Sequence, residues 1–76
     1  MNAERRKILA QAQQLIEEAQ SLVEQAAGEE RDYYDNMPEG LQAGERGERA
    51  DEVATLLEEL DENLSEAIGT LSEAQA

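Results

Sequence analysis

Carboxylates are the only chemistry-bearing groups that this chain holds in number. Nineteen Asp and Glu face six Lys and Arg, a formal net charge of −13, and there is neither His nor Cys. Lack of His removes the commonest general base and the commonest transition-metal ligand. Lack of Cys removes thiolate chemistry and disulfides. Adjacent acids such as Glu17-Glu18 and Glu58-Glu59 have no His, Cys or Lys nearby in sequence to tune them, and so read as solvated helix faces. A di-iron Glu-x-x-His pattern cannot occur. Asp32, Asp35, Asn36 and Glu39 place oxygen atoms near a turn, but without the spacing of a calcium loop, and capping of helix ends accounts for them. No catalytic, cofactor-binding or metal-ligating residue is assigned, and a non-enzymatic role is expected.

What remains is recognition by charge. From Ala50 to Ala76 there are eight acidic residues and no basic one. Asp51, Glu52, Glu58, Glu59, Glu66 and Glu73 fall at adjacent heptad positions and form a stripe along one side of a helix. Between Asp51 and Glu66 seven carboxylates occupy sixteen residues. At helical rise that is about one charge per 3.4 Å, near the phosphate spacing of a single nucleic-acid strand. Such a face fits a basic protein surface, including the groove of a nucleic-acid-binding protein. The plainer role of the same charges is to solubilise an acidic bundle. Direct nucleic-acid binding is not expected: Arg5-Arg6-Lys7 is short, lacks interleaved aromatics and is offset by Glu4, Glu17, Glu18 and Glu24. Tyr33, Tyr34, Met37 and Leu41 form the only aromatic-containing cluster. Tyr33 lies one heptad beyond Ala26 and is expected to point inward. Tyr34 and Met37 are then the candidate loop patch.

The elements that must position these residues follow from hydrophobic spacing. Ile8, Ala12, Leu15, Ala19, Leu22 and Ala26 recur at alternating steps of four and three, and Leu9, Ile16 and Val23 widen the stripe. Ala50, Val53, Leu57, Leu60, Leu64, Ala67, Leu71 and Ala74 continue as an unbroken heptad seam flanked by Leu56 and Ile68. The only Pro and three of the five Gly fall between the halves. Pro38 pushes Met37 out of helical conformation. The reading is an all-α, antiparallel two-helix hairpin in a single domain over 1–76, with a helix at 3–35, a loop at 36–44 and a helix at 45–74. Gly28 is an alternative stop for the first helix. Apolar residues beyond one seam predict a homodimer forming a four-helix bundle.

Tyr34-Asp35-Asn36-Met37-Pro38-Glu39-Gly40-Leu41-Gln42-Ala43-Gly44-Glu45-Arg46-Gly47-Glu48 resembles the central signature of a family of small acidic helical proteins of phages, prophages and other mobile elements. In that family the motif commonly runs aromatic-D-N-L-P-E-x-L-Q-x-S-E-R-G-E. Met37 stands here for Leu and Gly44 for Ser, which removes a side-chain cap. The resemblance implies a helix-loop-helix of phage-like origin and assigns no activity.

No apolar stretch approaches the ~20 residues of a membrane-spanning helix. Ile8-Leu9-Ala10 runs straight into Gln11, unlike the apolar core of a signal peptide. A location in the cytoplasm of a bacterial host is expected, without membrane binding. The functional expectation is an acidic protein that binds a basic partner as a nucleic-acid mimic and so inhibits a host nucleic-acid-binding or defence system. The alternative is a structural protein acting through homo-oligomerisation.

Overall fold

The computed structural model describes residues 2–76. Two long helices, α1 (Ala3–Asp35) and α3 (Glu45–Gln75), flank a single turn, α2 (Glu39–Gln42), and no strand occurs among the described residues. α1 starts where Asn2 holds an extended backbone and its side-chain oxygen accepts from the Arg5 amide at 2.8 Å. That satisfies one of the orphan donors of the first turn, and Glu4 complements its positive end. The helix runs through Gly28 without a break. It stops at Asn36, two residues before Pro38, as the conformational restriction on the residue preceding a proline requires.

Pro38 opens α2, and its carbonyl accepts from the Leu41 and Gln42 amides at 2.9 and 3.1 Å. Gln42 reaches back to donate to the Tyr34 carbonyl at 2.9 Å, tying the turn to the end of α1. Gly44 then takes an extended conformation, and its carbonyl accepts from Glu48 in the first turn of α3, with no side-chain cap. Gly47 is buried in that turn against α2, and a Cβ there would fall on the backbone of Leu41 and Gln42. Close approach of two backbones, with nothing unusual in φ, is what requires glycine.

α1 and α3 lie side by side in opposite directions. Gln13 meets Gln75, Gln20 meets Asp61 and Ser65, and Arg31 meets Asp51 and Glu58. The result is a rod with extents of 58 × 14 × 14 Å. Its seam is formed on α1 by Leu9, Ile16, Val23 and Ala27 and on α3 by Ala50, Ala54, Leu57, Leu64, Ile68 and Leu71, all buried or half-buried.

On α1 this corrects the phase expected from spacing; on α3 the expected seam is buried or half-buried at Ala50, Val53, Leu57, Leu64, Ala67 and Leu71, Leu56 lies outside it as expected, and only Leu60 and Ala74 depart. Ile8, Leu15 and Leu22 are 60, 59 and 69% exposed, and Leu56 and Leu60 are 53 and 40% exposed. Ala19, Ala26 and Ala74 are exposed as well, while Val53 and Ala67 border the seam half-buried. The apolar stripe on each helix is wider than one partner helix can cover. α3 covers only part of it, and polar residues complete the contact. Gln13, Gln20, Asp61 and Gln75 occupy half-buried positions that a purely apolar heptad rule passes over. Gln20 donates to Asp61 at 3.0 Å and to Ser65 at 2.6 Å, and Gln75 donates to Gln13 at 2.7 Å. These bonds satisfy the polar groups that the contact desolvates.

The pair closes tightly only near the loop. The buried apolar residues are Ala27, Ala50 and Ala54, and no large side chain is fully buried among the described residues.

Candidate functional site

Arg31 is the chemical centre of the helix pair. It stands on α1 and reaches across to α3, bonding Asp51 at 2.8 Å and forking onto both Glu58 oxygens at 3.0 and 3.3 Å. A longer contact to Thr55 Oγ1 spans 3.4 Å, and the guanidinium carbon lies 5.7 Å from the Tyr34 ring centroid. A planar guanidinium suits this bidentate geometry as an ammonium would not. Its hydrogen bonds to Glu58 and then Asp51 hold Arg31 firmly protonated. Chiefly through the same hydrogen bonds, the Glu58 carboxyl is held below the usual carboxylate range.

The stripe drawn from sequence therefore divides. Asp51 and Glu58 bind α1 through Arg31, with about half of each side chain still exposed. Glu52, Glu59, Glu66 and Glu73 are exposed at seven-residue intervals, about 10 Å apart along the side of α3 that faces away from α1. Glu52 pairs with Arg49 at 3.3 Å; among the described residues Glu59, Glu66 and Glu73 join no ion pair. Glu45, Glu48 and Glu62 are also exposed and extend the same outward surface, although sequence spacing did not assign them to the stripe.

At the loop end the two tyrosines exchange the roles expected of them. Tyr34 is half-buried under Arg31 and the Gln42 bond, and Tyr33 is exposed. Met37 is half-buried and Leu41 exposed. The accessible loop patch is therefore Tyr33 with Leu41, in place of Tyr34 with Met37. The reason is the phase correction: Tyr34 lies one heptad beyond buried Ala27, in the inward row of Gln13 and Gln20 beside that of Leu9, Ile16 and Val23.

A second surface belongs to the apolar residues left outside the seam. Gln20 and Arg31 mark the side of α1 that bonds α3, and Ile8, Leu15 and Leu22 lie on the other side. On α3 the bonding side carries Asp51, Glu58 and Ser65, and Val53, Leu56 and Leu60 lie opposite. Because the helices run in opposite directions and their polar sides meet, their apolar sides fall together on one long face of the rod.

Concavities offer little chemistry. An open groove lined by Ala10, Gln13, Gln14, Glu17 and Gln75 contains one titratable side chain, and another is lined by Ala3, Glu4 and Lys7. No group of three or more acidic, His or Cys residues converges as a metal site among the described residues. Among the same residues no helix is long and apolar enough to cross a membrane. Compared with family models, with curated proteins and with solved structures, the chain matches none.

Proposed function

We propose that this chain is a non-enzymatic, phage-type binding protein: a helical hairpin that pairs with a second copy into a four-helix bundle and presents its outward acidic face to a basic protein surface. The observation that carries this reading is the row Glu52, Glu59, Glu66 and Glu73, exposed along α3 and turned away from the helix contact. The fitting partner is a bacterial nucleic-acid-binding protein whose groove accepts regularly spaced negative charge, and occupation of that groove inhibits it. The motif from Tyr34 to Glu48 supports an origin in a mobile element, with action in the host cytoplasm.

The test is a triple reversal, Glu52→Lys, Glu59→Lys and Glu66→Lys. Helicity should persist, because Lys is a good helix former and the positions face solvent. The wild-type chain should retain nucleic-acid-binding proteins from bacterial lysate, release them as salt rises, and lose them to competing duplex DNA. The triple variant should bind at least about tenfold more weakly, since each reversal turns attraction into repulsion. Retention of the same proteins by the triple variant would remove the acidic face as the binding determinant.

A further inference from the structure

We infer that the second copy in the proposed bundle seats on the long apolar face opposite Arg31, the face carrying Ile8, Leu15 and Leu22 of α1 with Leu56 and Leu60 of α3. This rests on the reading that the protein is a bundle-forming dimer, and locates the interface within it.

The lone helix pair is short of burial. Its interior is closed by alanines, and its large aliphatic side chains are at best half-buried, five of the Leu and Ile on this face being 40–69% exposed. Those five expose on the order of 500 Å² of apolar surface, near the top of what a monomeric protein shows in a single patch. A 58 by 14 Å side of the rod covers roughly 800 Å², the area that each partner contributes to a standard stable interface. The dimensions suit another rod of the same length.

Charge selects this face over the others for a copy of the same chain. With a net charge of −13, any two copies repel. The centre of the apolar face, between Ile8 and Ala26 on α1 and between Val53 and Ala74 on α3, carries no ionisable residue in its rows. Contact there leaves Asp51 and Glu58 on the far side of the rod and the row of Glu52, Glu59 and Glu66 outside the contact, along its flank.

Shape agrees. The bonds from Gln13, Gln20 and Arg31 set the register to within about a turn, so that Leu15 falls near the turn of α3 that holds Ala67 and Leu56 near the turn of α1 that holds Ala26. Bulky and small side chains therefore alternate across the face. Two copies related by a twofold axis interdigitate, and the alanine rows allow helix axes to approach to within about 8–10 Å.

The experiment is sedimentation of the full chain up to high micromolar concentration, with Leu15→Glu, Leu22→Glu and the control Ser21→Glu, which adds the same charge on an outward position of α1. The wild-type chain and the control should be dimers. Each Leu variant should dissociate at least about tenfold more readily. A wild-type dimer that both Leu variants preserve would overturn the assignment of this face and leave the bundle standing. A wild-type monomer at high micromolar concentration would overturn both. Should the Leu variants lose helicity, dilution of the wild-type chain decides. Helicity lost on dilution supports an interface required for folding, and concentration-independent helicity overturns it.

Discussion

Arg31 is the residue on which the helix pair turns, and its consequences are electrostatic. It supplies a bidentate bond to Glu58 and a second to Asp51, across two helices otherwise joined by neutral amides. Because the folded state holds Glu58 below the usual carboxylate range, its contribution to stability is present above the unfolded pKa of ~4.3 and is lost as pH falls through the lower folded value. Glu58→Gln should therefore lower the midpoint of unfolding at neutral pH, and the gap from the wild-type chain should close on acidification below about pH 4. Melting curves across pH for both proteins check this, and a gap that stays constant to low pH would show that Arg31 does not depend on the Glu58 charge. Two glycines make a paired comparison. Gly47→Ala should cost about 1–3 kcal/mol, because the new methyl meets backbone that must shift. Gly28→Ala should stabilise by about 0.5–1 kcal/mol, since nothing lies within 4 Å of its added Cβ and Ala suits a helix interior better. Thermal unfolding with opposite signs for the two variants is the expected result. The sequence displays Gly47 within Glu45-Arg46-Gly47-Glu48, yet its necessity comes from α2 folding against α3, a contact between turns that residue spacing alone does not reveal.

At the scale of elements, the heptad steps and the single proline carried the all-helical class, the presence of a long helix pair and most of the α3 seam, while the rotation of α1 about its axis escaped. Ile8-Leu15-Leu22 and Leu9-Ile16-Val23 are adjacent rows of equal hydrophobicity, so periodicity alone could not say which row faced α3. The deciding residues are polar. Gln20 and Arg31 reach α3 only if the second row is inward, and that rotation also exposes Tyr33 and covers Tyr34. The acidic stripe was legible for its outward row and blurred at Asp51 and Glu58 for the same reason, since partnership with Arg31 depends on a contact between distant segments. The corrected phase is testable within one helical step. Under dilute conditions Ile16→Ala should cost about 2 kcal/mol, because it removes a half-buried seam side chain. Leu15→Ala should cost well under about 1 kcal/mol, its side chain being largely in solvent already. Equal costs from denaturant titrations at low micromolar concentration would return the phase to question.

The whole molecule sets two surfaces of opposite character on one rod, and salt should separate them. Joining two copies through the apolar face brings −13 together with −13, a long-range repulsion that no residue on that face offsets. Screening shortens the reach of that repulsion from about 30 Å at 0.01 M salt to about 8 Å at 0.15 M, while burial of Leu and Ile side chains is little affected. Self-association should therefore strengthen as salt rises, and the melting temperature at fixed concentration should rise with it. If the acidic row along α3 meets a basic partner by attraction, as proposed, the same screening weakens that complex. One salt series thus carries two opposite slopes: the dissociation constant of the dimer falls and that of the partner complex rises. Sedimentation and partner capture from the same samples read both. Dimers that dissociate with added salt would mean that ion pairs hold the copies together, and would move the interface from the apolar face to the charged ends of the rod.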